Sequence, residues 1–182
     1  MIKNIKAREI LDSRGSPTIE VTITTNNRKY TSSVPSGAST GKHEAKELRD
    51  NEKRYNGKGV LKAVNNINNI IAPLLLNKEI NPEETDKVMI EKDGTKDKSN
   101  LGANAILAVS MSVLRARAGE KNIPLYEYIT KYFDFTKKIP KPLFNIINGG
   151  AHGKGGVSFQ EFMFAPEKVL FSENFALRSK FS

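Results

Sequence analysis

The residues from Thr18 to Thr24 constrain this chain more than any others, because Ile19, Val21 and Ile23 alternate there with Thr18, Glu20 and Thr22. A period of two sends successive side chains to opposite faces, so the stretch reads as a half-buried antiparallel strand. Ile2 to Leu11 forms a strand before it, across the turn cluster Asp12-Ser13-Arg14-Gly15-Ser16-Pro17. Lys29 to Val34 forms another after it, across Asn26-Asn27. Together they predict a three-stranded meander with one wet face.

Beyond Val34 the chain enters Pro35-Ser36-Gly37-Ala38-Ser39-Thr40-Gly41-Lys42-His43-Glu44, a run of small and hydroxylated residues suited to movement. Ser36, Ser39 and Thr40 offer oxygens that can cap a helix, bind phosphate or enter a metal shell. A nucleotide cradle is disfavoured, because His43 stands after Lys42 where that motif requires Ser or Thr. Taken alone, such a loop reads more readily as punctuation between a strand and a helix.

The pattern then turns helical. Glu44 to Arg54 reads as a charged, solvated helix whose Glu44, Lys46, Glu47, Arg49 and Asp50 need no functional explanation. Val60, Val64, Ile67, Ile71 and Leu74 recur at helical spacing and place a second helix on the dry face of the sheet. Asn81-Pro82-Glu83-Glu84 signals a helix start, with a capping residue, proline at the first helical position and acids in the first turn. Asp93-Gly94 is its expected end. Ala103 to Ala118 carries small and apolar residues around most of its circumference and reads as the central packing helix. A short helix follows from Leu125 to Phe133.

Lys137-Lys138-Ile139-Pro140-Lys141-Pro142 is a basic connector interrupted by proline. It divides the chain into a domain over 1–136, a linker over 137–142 and a second segment over 143–182. In that segment Leu143 to Ile147 reads as a strand that runs into a glycine-dense turn carrying His152. Val157 to Pro166 reads as another, with Gln160 and Glu161 embedded in it. Burying Glu161 beside Phe159, Phe162 and Met163 would be costly unless the carboxylate is paired or used.

Composition removes several function classes. The 182 residues contain no cysteine and two histidines, so any metal would be held by oxygen. Lysine and arginine total 29 against 20 acids, a net charge of +9. These cations are scattered rather than gathered on one face, so no dedicated nucleic-acid partner is expected. With no signal-peptide core and no apolar run of membrane-spanning length, no membrane partner is expected and the cytoplasm is the expected location.

Four blocks occur in order: Ile10-Leu11-Asp12-Ser13-Arg14-Gly15-Ser16-Pro17-Thr18, Pro35 to Gly41, Leu101-Gly102-Ala103-Asn104-Ala105-Ile106-Leu107, and Asn148-Gly149-Gly150 through His152 to Gln160-Glu161-Phe162-Met163. Through them the chain resembles the N-terminal part of enolase, the lyase that reversibly dehydrates 2-phosphoglycerate to phosphoenolpyruvate in glycolysis and gluconeogenesis. The resemblance implies an α+β N-terminal domain, a three-stranded antiparallel meander plus helices, followed by the start of an α/β enolase-type barrel.

It also implies roles for residues. Ser36, Gly37, Ala38, Ser39, Thr40 and Gly41 correspond to a lid loop, with Ser39 a ligand of the second of two Mg²⁺ ions. His152, Gln160 and Glu161 correspond to substrate-binding residues, and Glu161 also to the catalytic glutamate that helps hydroxide depart. The family assembles as a homodimer or higher homo-oligomer. Its other metal carboxylates, its lysine base and its phosphate-binding residues have no counterpart within these 182 residues, so this chain alone is expected to be inactive. The competing expectation is a non-catalytic binding module derived from enolase, serving a surface or a protein partner.

Overall fold

A computed structural model describes residues 1–26, 28–37, 40–150 and 157–166. The first of two compact units comprises Met1–Ser36 and Gly41–Phe135, and the second takes in Gly37, Thr40 and the described residues from Thr136 onward.

The first unit is built on strands β1 (Ile2–Leu11), β2 (Pro17–Thr25) and β3 (Lys29–Ser33), paired antiparallel in the order β1-β2-β3. Register sets Ile5 opposite Ile23 and Ala7 opposite Val21, and all four are buried on one face. The other face carries the Arg8–Glu20 ion pair and a Thr22–Thr31 hydroxyl contact of 2.8 Å. The meander and its single wet face are as the alternation requires.

Helices α1 (Leu61–Asn66) and α2 (Ala72–Leu75) are joined through a π-helical stretch, Ile67–Ile71. Val60, Val64, Ile67 and Ile71 are buried as the spacing predicts. The fifth fully buried position is Leu75 rather than Leu74. A π turn takes up an extra residue and so shifts the helical phase at this point. No local side chain caps α1; instead Asp50 accepts from the Leu61 and Lys62 amides at 3.0 and 2.8 Å.

Helix α3 (Pro82–Asp93) starts with the Asn81 side chain accepting from Glu84 N–H, and it stops at Gly94 in the left-handed conformation (φ 70°). Helix α4 (Ala103–Glu120) packs on β2 and β3 and contributes Ala105, Ala108, Val109, Val113 and Ala116 to the core. Buried Ser112 on α4 donates to Val21 O of the sheet and to Ala108 O. A Cβ on Gly119 would lie 2.2 Å from the Tyr30 ring, so only glycine allows this approach of helix and strand. Helix α5 (Leu125–Tyr132) ends the unit.

The helix expected over Glu44 to Arg54 does not form, and only a 3-10 turn appears at Arg54–Gly57. Backbone groups of the segment are committed to distant partners. Lys46 N–H donates to Asp97 O, and Lys46 O accepts from Ala103 N–H. The Asn104 amide grips both the N–H and C=O of Leu48, at 3.0 and 3.1 Å, and Asp50 N–H donates to Gly59 O. Helical pairing would leave those partners unsatisfied.

In the second unit β4 (Phe144–Asn148) and β5 (Glu161–Phe164) pair antiparallel. The strand expected over Val157 to Pro166 contracts to four residues. Its preceding carbonyls are used elsewhere: Gln160 O accepts from Gly149 N–H at 2.8 Å and Val157 O from Gly150 N–H at 2.9 Å.

Candidate active site

The first group of candidate residues lies where the chain leaves β3. Val34 is fixed to β2 by two bonds, Val34 N–H to Ile19 O and the Thr18 hydroxyl to Val34 O. Two residues later, the half-buried Ser36 Oγ accepts from Arg49 Nη2 at 3.0 Å and donates to Glu47 Oε2 at 3.4 Å. Gly37 and Thr40 are exposed, while Ala38 and Ser39 lie outside the described residues. Gly41 N–H donates to Glu44 Oε2 at 2.8 Å, and Glu44 N–H returns a bond to Gly41 O, closing a small box on the far limb.

The second group lies on the β4–β5 hairpin. Glu161 opens β5 opposite Asn148 at the end of β4, and Gln160 precedes it in a bend. Both are exposed, so the Glu161 carboxylate carries no cost of burial here. The hairpin is two strands wide and leaves Phe162, Met163 and Phe164 exposed beside it. A Cβ on Gly149 would meet Phe159 O at 2.2 Å, so glycine is needed where the turn crosses the chain that delivers Gln160 and Glu161. Asn148, Gly149, Gln160 and Glu161 are thus brought together, while His152 lies outside the described residues.

A family model for the enolase N-terminal domain matches residues 2–129, and one for the enolase C-terminal TIM barrel domain matches residues 136–180. The chain belongs to the enolase family. It is 57% identical over 168 residues to Enolase 1 of Entamoeba histolytica, covering 91% of this chain and 38% of that protein. It is 53% identical over 168 residues to an enolase of Mastigamoeba balamuthi, with the same coverage, and 53% identical over 167 residues to one of Methanocaldococcus jannaschii, covering 91% and 39%. The chain therefore spans well under half the length of these relatives. Its fold is the enolase N-terminal domain followed by the start of the enolase barrel domain.

The enolase resemblance implies Mg²⁺, and the ligand it names, Ser39, lies outside the described residues. Among them no group of three or more His, Asp or Glu side chains could hold a metal. Ser36 Oγ already faces the Arg49 guanidinium, a neighbour that repels a cation. Among the described residues no helix is long and apolar enough to cross a membrane.

Sequence reasoning missed Arg49, and Glu47 and Asp50 with it. Treated as solvated helix charges, they instead hold loops and cap α1. No local signal could have shown this, because Arg49 finds Pro17 O and Lys58 O at separations of 32 and 9 residues.

Proposed function

We propose that this chain belongs to an enzyme that reversibly dehydrates 2-phosphoglycerate to phosphoenolpyruvate. The observation that supports this most is the match of both enolase domains, in order, across one chain. Within that reading Glu161 acts on the leaving hydroxyl. Once a base has taken the α-proton, the electron pair left on carbon becomes the C=C bond as the C–O bond breaks with its own pair on oxygen; the Glu161 carboxylic acid supplies a proton, and the group departs as water. Gln160, which precedes Glu161, and His152 contact the substrate, and the loop over 36–41 shields it from solvent. Ser39 is the residue of this chain that would reach a metal.

Residues 1–182 alone are proposed to lack turnover. The test is steady-state turnover of 2-phosphoglycerate by the full-length protein carrying Glu161→Gln. Removing a general acid should lower kcat by about 10²–10⁴-fold, with KM little changed. A kcat within about twofold of the parent would remove Glu161 from this role.

A further inference from the structure

The meander has two edges, and the fold closes one of them. On β1 the Asn68 side chain accepts from Ala7 N–H at 2.8 Å and donates to Ala7 O at 3.2 Å, while Ile2 N–H donates to Lys78 O and Ile2 O accepts from Asn77 N–H. The other edge is β3. Val34 N–H donates to Ile19 O and Thr25 N–H to Arg28 O, a register that turns the main-chain groups of Tyr30 and Ser32 toward β2. Those of Lys29, Thr31 and Ser33 therefore point outward, and among the described residues they have no partner. An open strand edge is a template for a further strand.

A groove of about 280 Å³ lies against this edge. Its apolar lining is Tyr30, Ala118, Gly119, Ile123 and Leu125; its charged residues are Lys29 and Arg115, and no carboxylate joins them. Both cations are exposed, and neither is in an ion pair among the described residues. Glu120, next along α4, is already engaged, accepting from the Thr25 hydroxyl at 2.7 Å and the Tyr30 hydroxyl at 3.3 Å. Side chains alternate along a strand, so a strand laid on β3 would turn every second residue toward the groove and the others toward Lys29 and Thr31.

We propose that the free edge of β3 takes up, as a fourth strand of the sheet, an extended segment of another protein in which acidic residues alternate with aliphatic ones. Main-chain bonds to Lys29, Thr31 and Ser33 supply affinity, the groove accepts the aliphatic side chains, and Lys29 and Arg115 select the acids. A second copy of this edge is a poor occupant, because it would set these cations against their own like.

The test is an amide NMR titration of this chain with a short capped peptide alternating glutamate and valine, a lysine–valine peptide serving as control. The glutamate peptide should shift the Lys29, Thr31 and Ser33 amides and slow exchange at Thr31 about tenfold, with Ala7 on the closed edge unmoved. Thr31→Pro removes the outward donor and should abolish the response. Lys29→Glu with Arg115→Glu leaves the backbone untouched and should weaken binding about tenfold. Equal binding of the two peptides, shifts confined to other residues, or no response at millimolar peptide would overturn the proposal. So would a Thr31 amide whose protection rises with the concentration of the chain alone, since a second copy would then hold the edge.

Discussion

Strand β2 of the first unit and strand β4 of the second are both rich in isoleucine, yet they stand in opposite situations. Ile19, Val21 and Ile23 are each 0% exposed under a layer of helices, whereas Ile146 and Ile147 are 54% and 50% exposed. On β2 the apolar residues occupy every second position and one layer of helices satisfies them. On β4 they are consecutive, so both faces need cover, as on the strands of a barrel, and a two-stranded hairpin covers neither. The difference teaches that apolar content is a source of stability only where the chain itself supplies the opposing surface.

The same substitution on the two strands gives the largest expected contrast. Ile23→Ala should cost about 2–5 kcal/mol, transfer and cavity terms together. Ile147→Ala should stay within about 0.5 kcal/mol. Urea unfolding followed by circular dichroism measures both, and equal losses would break the comparison.

A smaller effect concerns polar burial in the first unit. Burial pushes the Asp93 carboxyl up, but bonds from the Thr95 hydroxyl and the Leu101, Thr95 and Asn100 groups outweigh this and hold it below the ordinary carboxylate range. A depressed folded-state value means the contribution is complete above the unfolded value and lost as pH falls through the folded one. Asp93→Asn should therefore cost about 1–3 kcal/mol at pH 7 and progressively less in acid. A loss independent of pH would show that the charge of Asp93 is irrelevant.

Much of this architecture was legible in the chain. The meander followed from alternation at Ile19, Val21 and Ile23, and α3 from Asn81-Pro82 and Gly94, because those signals act on neighbours in sequence. The 44–54 segment was misread because its hydrogen bonds run to Asp97, Ala103, Asn104 and Gly59, partners that no local pattern reveals. Arg49 was passed over for the same reason. At the candidate site, Gln160 and Glu161 were put forward through their motif, which says nothing of their exposure. The apolar neighbours that suggested burial lie on a hairpin only two strands wide.

The smallest expected effect is at Asp86 on α3, where burial pushes the carboxyl above its ordinary range and a bond with Ser110 only partly restores it. Its Oδ1 is buried with no hydrogen-bond partner. Here the sign reverses: a raised folded-state value means that ionisation opposes folding, so stability is lost as pH rises through the unfolded and then the folded value. Asp86→Asn should stabilise the chain at pH 7 by under about 1 kcal/mol, because the group is partly open to solvent, and by nothing near pH 3. Thermal melts at the two pH values would reveal the trend, and destabilisation at pH 7 would contradict it.

The central claim is that the first unit carries its own stability while the β4–β5 hairpin lacks the surface that would stabilise it. Native-state hydrogen exchange on this chain tests it most directly, by comparing amides of β2 and α4 with the paired amides of β4 and β5. The account predicts opening free energies near the global value at Val21, Ile23, Val109 and Val113, and near zero at Ile147, Phe162 and Met163. Protection at the hairpin equal to that of β2 would contradict it.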